Sequence, residues 1–268
     1  MVENKAQLNS KKYFNGNALH NACFNHKISL EIIQCLVENK SDINSVSCAN
    51  DIPLHSACEN ENISLEIIKH LVENKSQINS SKFLNGNPLL TACKNENTTT
   101  EILSYLIEIK SDLNVSNEFY NKTALHFACE NFNFSLDEIK FLVDNKADVN
   151  HKERSQKIPL HSIFCRNNFS IELIQFLIEN KSDLNSIDRN GNSPFHFACG
   201  NSNITFEILK YLIENKADLD CEEMKHNKSA LQKIYNNQFL VGKMKEEFGE
   251  QVEIKKILSE IVKKKGDK

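Results

Sequence analysis

The chain has 268 residues, of which 40% are hydrophobic and 25% are charged, as in ordinary globular proteins. Its apolar runs are much shorter than the ~20 residues that a membrane-spanning helix needs, which excludes an integral membrane protein. The net charge of −4 creates no general field that would attract nucleic acid or an acidic membrane, so neither is expected as a partner.

A short motif centred on a large apolar residue recurs along the chain at steps of 35 or 36 residues. A histidine follows the apolar residue in most copies. A constant interval of this length is the signature of stacked structural repeats. The central residues are Leu19, Leu54, Leu89, Leu125, Leu160, Phe195 and, in a degraded copy, Leu231.

These intervals predict the domain organisation. Residues 1–9 correspond to the tail of a truncated or atypical N-terminal repeat, and residues 221–262 to a degenerate repeat that caps the C-terminal end, before a basic tail at 263–268. Because the chain opens on the tail of a repeat, we expect a fragment of a longer array or a diverged gene copy. Repeats 1 to 6 lie between these ends, at 10–44, 45–79, 80–114, 115–150, 151–185 and 186–220.

Each repeat is predicted to contain a helix of about ten residues, a loop, a second helix and a hairpin. Proline at the start of the first helix, as at Pro53, is tolerated because its missing N–H would be unpaired there. The second helix shows apolar spacing of helical period, and Asn-Gly pairs such as Asn85-Gly86 predict tight hairpin turns. The predicted N-caps of the second helices are Ser29, Ser64, Ser135, Ser170 and Thr205.

These segments resemble the ankyrin repeat over about residues 1–262. The best copy runs Ser193-Pro194-Phe195-His196-Phe197-Ala198, then Phe206-Glu207-Ile208-Leu209, then Lys216-Ala217-Asp218-Leu219-Asp220. The resemblance implies an all-α solenoid of helix-turn-helix units with short β-hairpin loops. It also implies that the histidines of the motif hydrogen-bond backbone between neighbouring repeats, and that the protein binds other proteins.

The chain departs from the family at the residue after each second helix, where the family has glycine. That glycine takes a left-handed conformation, which costs a lysine roughly 1 kcal/mol. Either the lysines accept this cost, or the preceding residue, which is asparagine in five repeats, takes the left-handed conformation instead. The lysines are Lys40, Lys75, Lys110, Lys146, Lys181 and Lys216.

Cysteines recur at one repeat position, with Cys165 one residue out of register. Equivalent residues of stacked repeats lie at helix-packing distance, ~8–10 Å, which is too far for a disulfide. We therefore interpret them as small buried residues in a reducing compartment. We expect an intracellular, cytoplasmic protein, with the nucleus as an alternative, and expect Cys48 to be the most exposed cysteine. The recurring cysteines are Cys23, Cys58, Cys93, Cys129 and Cys199.

His-x-x-Cys pairs such as His20 and Cys23 suggest a zinc site, but each repeat supplies only two ligands and a closed site needs four. No metal and no cofactor is therefore predicted. Two asparagine columns are interpreted as loop residues that tolerate the left-handed region and bond nearby backbone. For the first column, the resemblance leaves enzymatic hydroxylation open. The columns are Asn44, Asn79, Asn114, Asn150 and Asn185, and Asn25, Asn60, Asn95, Asn131 and Asn201.

No nucleophile, base and orienting group recur as a set, so the chain is predicted not to be an enzyme. The resemblance implies partner binding through hairpin tips and the concave inner face of the first helices. Apolar pairs at three tips either pack on adjacent hairpins or form a binding hot spot. The candidate residues are Tyr13, Phe14, Phe83, Leu84, Phe119 and Tyr120 at the tips, and Phe24, Glu59, Lys94 and Glu130 at the first-helix ends.

The sequence therefore predicts a monomeric, non-catalytic interaction module or scaffold that binds another protein. The alternative is a targeting region or fragment of a larger ankyrin-containing enzyme, such as a kinase or a ubiquitin ligase subunit.

Overall fold

The structure of the chain is a computed structural model, which describes residues 8–9, 16–62, 64–79, 85–218 and 230–248. Two compact units, Met1–Asp148 and Val149–Lys268, divide the chain. Both are helical. Among the described residues, an isolated β-bridge joins Ser116 to Thr123. No helix among the described residues is both long and apolar enough to cross a membrane.

The first unit consists of helix pairs in which a first helix of seven residues precedes a second helix of nine. The first helices pack side by side in chain order, and each packs on the second helix of its own pair. The second helices also contact one another, α2 with α4 and α6 with α8. The helices are α1 (Ala18–Phe24), α2 (Leu30–Glu38), α3 (Pro53–Glu59), α4 (Leu65–Glu73), α5 (Pro88–Lys94), α6 (Thr100–Glu108), α7 (Ala124–Glu130) and α8 (Leu136–Asp144).

The second unit continues the pattern with one irregular pair. Its first helix, α9, has only five residues, because the chain turns at the buried Phe164 and leaves Cys165 exposed. The degenerate repeat contributes two helices among the described residues, while its end at 249–262 and the basic tail lie outside them. The helices are α9 (Pro159–Ile163), α10 (Ile171–Glu179), α11 (Pro194–Gly200), α12 (Phe206–Glu214), α13 (Ala230–Asn236) and α14 (Gln238–Phe248).

The apolar residue of the recurring motif forms the centre of the core, and it is fully buried from Leu19 to Phe195. The predicted caps of the second helices are confirmed at Ser64, Ser135, Ser170 and Thr205, whose hydroxyls accept backbone N–H groups. Ser29 occupies the same position without such a bond. The first helices are shorter than the sequence predicted, since most of them end just before an asparagine that begins the loop.

The lysines after the second helices, and not the residues before them, take the left-handed conformation. Their φ values run from 63° at Lys40 to 78° at Lys146. The alternative that the preceding asparagine takes this conformation is wrong, since Asn39 has a φ of −82°. Asn39 instead donates its side-chain amide to the carbonyl of Cys35 at 2.8 Å, which caps the helix C-terminus.

The first asparagine column ties each repeat to the next one. Asn44 donates its Nδ2 to the carbonyl of Lys75 at 3.0 Å and accepts the N–H of Gln77 at 2.8 Å. None of these asparagines has a positive φ, so the expected use of the left-handed region is wrong, whereas the expected bonding of nearby backbone is confirmed. They satisfy backbone groups of the following repeat, including the carbonyl of the strained lysine. The same pair of bonds occurs at Asn79, Asn114, Asn150 and Asn185.

The asparagines of the second column bond the preceding repeat and not the following one. Asn60 donates its Nδ2 to the carbonyl of Cys23 at 2.8 Å, and Asn95 donates to that of Cys58 at 2.9 Å. Both bonds join a loop to the end of the preceding first helix. In the first unit, each interface between neighbouring repeats from repeat 1 to repeat 4 is therefore bridged by asparagine side chains of both repeats.

The histidines bond backbone between repeats, as the resemblance implied. His55 accepts the N–H of Ile52 at Nδ1 (3.2 Å), and its Nε2 lies 3.0 Å from the carbonyl oxygen of Gly86. Because Nδ1 accepts, Nε2 carries the proton and donates it to that carbonyl. His20 and His161 reach the carbonyls of Asp51 and Asn192 in the same way.

Leu90 replaces the histidine in repeat 3 and is buried. It packs beneath Gly86, whose φ is +83°. A Cβ atom at Gly86 would lie 2.4 Å from Cδ2 of Leu90, so both the backbone conformation and the available space require glycine there.

The described turns of repeats 2, 4, 5 and 6 are each closed by a backbone hydrogen bond between the two ends of the turn. Ser47 donates its N–H to the carbonyl of Asp51 at 2.8 Å, and Asn117 donates to that of Lys122 at 3.0 Å. Glu153 and Asp188 close the turns of repeats 5 and 6 in the same manner. The turns therefore bring the chain from one helix pair to the next without forming paired strands in the described ranges.

Cysteines of the recurring position are buried, and none of the cysteines that the structure describes forms a disulfide. Cys48 is exposed as predicted, but Cys35 and Cys165 are exposed as well. Burial raises the pKa of Cys23 to about 12 and raises those of Cys58, Cys93 and Cys199 further.

This burial predicts two classes of thiol in the folded protein. Iodoacetamide should label Cys35, Cys48 and Cys165 rapidly, whereas Cys23 should react on the order of a thousandfold more slowly, since its raised pKa removes that much thiolate. Peptide mass spectrometry at increasing labelling times measures this. Equal labelling of Cys23 and Cys48 in native protein would contradict the buried column, and labelling in denaturant provides the reference.

Candidate functional site

A groove of about 390 Å³ crosses repeats 2 to 4 in the first unit. It lies over α3, α5 and α7 and beside the turns that precede them, at the place where Leu90 interrupts the histidine column. One wall belongs to repeat 2, the floor to repeat 3 and the opposite wall to repeat 4. The residues are Asp51, His55 and Glu59 on the first wall, Leu90, Thr91 and Lys94 on the floor, and Phe119, Tyr120, Lys122 and Phe127 on the second wall.

The turn of repeat 4 presents two exposed aromatic side chains at the edge of the groove. Phe119 is 54% exposed and Tyr120 is 60% exposed, so neither is packed away against a neighbouring turn. The turn itself is well fixed, because Asn117 exchanges two hydrogen bonds with the backbone of Lys122. Asn121, at a φ of 55°, accepts a further bond from Ser116. The aromatic pair therefore stands on a rigid support.

Lys122 organises the aromatic wall. Its Nζ lies 2.6 and 2.7 Å from the two carboxylate oxygens of Glu130. The same ammonium lies 5.7 Å from the ring centre of Phe127 and 6.0 Å from that of Tyr120. A partly exposed pair of this kind adds at most about 1 kcal/mol to stability. Its main effect is to hold the rings in place and to neutralise the charge of Lys122.

Asp51 forms the polar end of the opposite wall. Its Oδ2 accepts the side-chain amide of Asn85 at 2.8 Å, whereas its Oδ1 is buried with no hydrogen-bond partner among the described residues. Burial raises the pKa of this carboxyl above its ordinary value, although the bond from Asn85 and the charge of Lys94 act against that shift. The groove thus contains a carboxylate that is poorly solvated.

Glu59 and Lys94 end the helices α3 and α5, and both are exposed. Within the part of the chain that the structure describes, neither forms an ion pair within 4.0 Å. Two carboxylates, Asp51 and Glu59, therefore face a single uncompensated ammonium, since the charge of Lys122 is matched by Glu130. The groove carries a small excess of negative charge beside an aromatic wall.

The structure brings together four of the residues that the sequence singled out, Glu59, Lys94, Phe119 and Tyr120. Glu130 lies at the edge of the groove through its pair with Lys122. Phe24 is 57% exposed at the end of α1 but does not line the groove. The remaining candidates, Tyr13, Phe14, Phe83 and Leu84, lie outside the described residues.

Sequence reasoning missed Asp51, Lys122 and Phe127. A partial signal was available for Phe127, because the equivalent residues Ser56 and Thr91 of repeats 2 and 3 are small and polar, although Phe197 of repeat 6 is again aromatic. The ion pair between Lys122 and Glu130 joins a turn to a helix eight residues later, a spacing that no local rule predicts.

The second unit has a shallower hollow of about 570 Å³, which includes Cys165, Phe197 and Lys233. It has no exposed aromatic pair at its edge. Within the described ranges, no three histidine, cysteine, aspartate or glutamate side chains are grouped so that they could hold a metal ion. The groove over repeats 2 to 4 is therefore the stronger candidate for a binding site.

Comparison with known protein families agrees with this architecture. A family model described as ankyrin repeats matches three overlapping stretches, residues 1–82, 54–153 and 132–223. No curated protein gives a significant match. Ankyrin repeats are in general protein–protein interaction modules and are typically non-catalytic. The matched stretches, the interval of the motif and the stacked helix pairs agree, and the chain belongs to the ankyrin repeat family.

Proposed function

We propose that the chain is a non-catalytic interaction module that binds a partner protein in the groove over repeats 2 to 4. The observation that carries the proposal is the exposure of Phe119 and Tyr120 on a rigid turn beside that groove. Exposed aromatic side chains supply large contact area at low entropic cost and are enriched among the residues that dominate binding energy.

The groove is already ordered before a partner binds, and this order supports the same function. The turn of repeat 4 is fixed by its own hydrogen bonds, and the floor is formed by α5, whose Leu90 is buried in the core. A surface that is already ordered loses little conformational entropy when a partner binds. Alternating charges at Glu59, Lys94 and Glu130 would select partners of complementary charge.

We also propose that the protein acts as a monomer in a reducing intracellular compartment, most simply the cytoplasm. Support for the compartment comes from the buried cysteines, none of which forms a disulfide among the described residues.

Affinity capture from cell lysate tests the proposed function. The double variant Phe119→Ser, Tyr120→Ser should lose a partner that the wild-type chain retains, with at least a tenfold drop in recovery if these residues are a hot spot of about 2 kcal/mol. Phe132→Ser is the matched control, because Phe132 is 51% exposed in the same unit but does not line the groove.

A second variant with Tyr13, Phe14, Phe83 and Leu84 changed to serine tests the other turn tips. Unfolding midpoints must first show that each variant is folded. If the double variant and the control retain the same proteins as the wild type, the groove is not the binding site and the proposal is wrong.

A further inference from the structure

We propose that the groove recognises an arginine side chain of the partner, placed between the aromatic wall of repeat 4 and the carboxylates of repeat 2. This inference rests on the proposed function and specifies the chemistry of the partner. It follows from three features of the groove, which are its size, its two unlike walls and its uncompensated charge.

The size of the groove suits side chains and not a whole structural element. At about 390 Å³ it lies at the lower end of the range of roughly 300–1,000 Å³ that holds small ligands. One long side chain with its neighbouring backbone fills such a volume. The exposed aromatic pair at the edge would contact the residues that flank it.

The two walls together match a guanidinium group. Its planar faces stack on aromatic rings, and its N–H groups form paired hydrogen bonds to carboxylates. Phe119, Tyr120 and Phe127 provide the rings, and Glu59 provides an exposed carboxylate opposite them. The groove already contains one stacked cation, since Lys122 lies over the rings of Phe127 and Tyr120.

The charge of the groove favours a cation over an anion. Glu130 neutralises Lys122, which leaves Asp51 and Glu59 against Lys94 alone. Asp51 has a buried oxygen with no hydrogen-bond partner in the described ranges, so its charge is poorly compensated in the unbound protein. A guanidinium in the groove would supply the missing positive charge without requiring direct contact with that oxygen. An acidic partner would meet two carboxylates there.

Selection of random peptides displayed on phage against the full chain tests this inference. Enriched peptides should contain arginine beside a large apolar residue. Enrichment should be lost on the variant Phe119→Ser, Tyr120→Ser. A synthetic peptide of an enriched sequence should bind about tenfold more weakly when its arginine is replaced by glutamine.

Charge variants of the protein provide the sharper comparison. The change of Asp51→Asn with Glu59→Gln should remove the tenfold preference for arginine, while the control Lys94→Gln should keep or increase it, because it removes a competing cation. Denaturant midpoints show whether each variant is folded.

Three results would overturn the inference. Enriched peptides that are acidic and bind more weakly to Lys94→Gln would show that the groove takes an anion. Peptides that bind equally well to Asp51→Asn, Glu59→Gln would show that these carboxylates play no part. No enrichment above the level found on Phe119→Ser, Tyr120→Ser would show that no arginine peptide uses the groove. In each case, lysate capture decides separately whether the proposed function stands.

Discussion

Replacing four buried serines with alanine is expected to raise the free energy of unfolding by about 4 kcal/mol, or about 1 kcal/mol for each serine. Each hydroxyl oxygen is buried without a hydrogen-bond partner among the described residues. An unsatisfied buried hydroxyl costs desolvation energy that a methyl group avoids. Because the sites lie in different repeats, the effects should be nearly additive. The serines are Ser41, Ser76, Ser111 and Ser182.

The chain provides its own control for this prediction. Ala147 and Ala217 occupy the same position in repeats 4 and 6, and their N–H groups bond the same helix carbonyl as those of the serines. The reverse change, Ala147→Ser, should therefore lower the free energy of unfolding by about 1 kcal/mol. Urea denaturation of both variants measures the two effects. An unchanged midpoint in the fourfold alanine variant would show that the hydroxyls are satisfied in solution.

Lowering the pH from 7 to 5 is expected to reduce the free energy of unfolding by about 2 kcal/mol through His55 alone, and by about 3 kcal/mol at pH 4. Burial lowers the pKa of His55 to about 4, from an ordinary value of 6.5. Between pH 7 and 5 the unfolded chain takes up a proton at His55, whereas the folded protein remains mostly unprotonated there. Acid therefore favours the unfolded state, and the stability is present above pH 6.5 and lost towards pH 4.

Other titratable groups determine the pH range over which the change in stability reports on the histidines. Burial also lowers the pKa of His161, which adds to the loss in the second unit. The raised pKa of Asp51 acts in the opposite direction, because the folded protein then takes up that proton first and gains stability as the pH falls. Carboxyl groups titrate mainly below pH 5, so the interval from pH 7 to 5 reports chiefly on the histidines.

His55→Leu is the matched control, since Leu90 already occupies this position in repeat 3. The variant should be less stable than the wild type at pH 7, because it loses the bond to the Gly86 carbonyl. Its stability should vary less between pH 7 and 5, by about 2 kcal/mol. Urea titrations at a series of pH values measure both. An identical pH slope in the two proteins would show that His55 is not protected.

Much of the fold could be predicted because the repeat supplies seven versions of one pattern. A buried Leu, a Pro at the first helical position and a Ser before the second helix recur at fixed spacing, and their structural meaning is local. The histidine bonds between repeats were implied by the family resemblance. The length of the first helices was overestimated, because the asparagine that follows most of them belongs to the loop, and residues such as Asn60 bond the preceding repeat.

The candidate site was only partly predictable, since it depends on side chains from three repeats. The sequence marked Phe119 and Tyr120 as unusual for a turn, and the structure places them at a groove. It did not predict Asp51, whose position at the end of a turn is like that of several other polar residues. Asp51 belongs to the site because its carboxyl group accepts a bond from Asn85 and feels the charge of Lys94, and both of these residues lie in the following repeat. Departures from the repeat pattern, of which Leu90 in the histidine column is the clearest, were the best available guides to the position of the site.

The paired asparagine columns have a consequence for how such a protein can change length. Within a unit, the donors on one repeat meet acceptors at the same positions of its neighbour, so one interface is chemically interchangeable with another. A gene that gains or loses a whole 35-residue segment creates no new junction chemistry. The groove does not share this freedom, because it needs the carboxylates of repeat 2, Leu90 of repeat 3 and the aromatic side chains of repeat 4 in that order. Insertion of a segment between repeats 2 and 4 would leave the stack intact and separate the two walls.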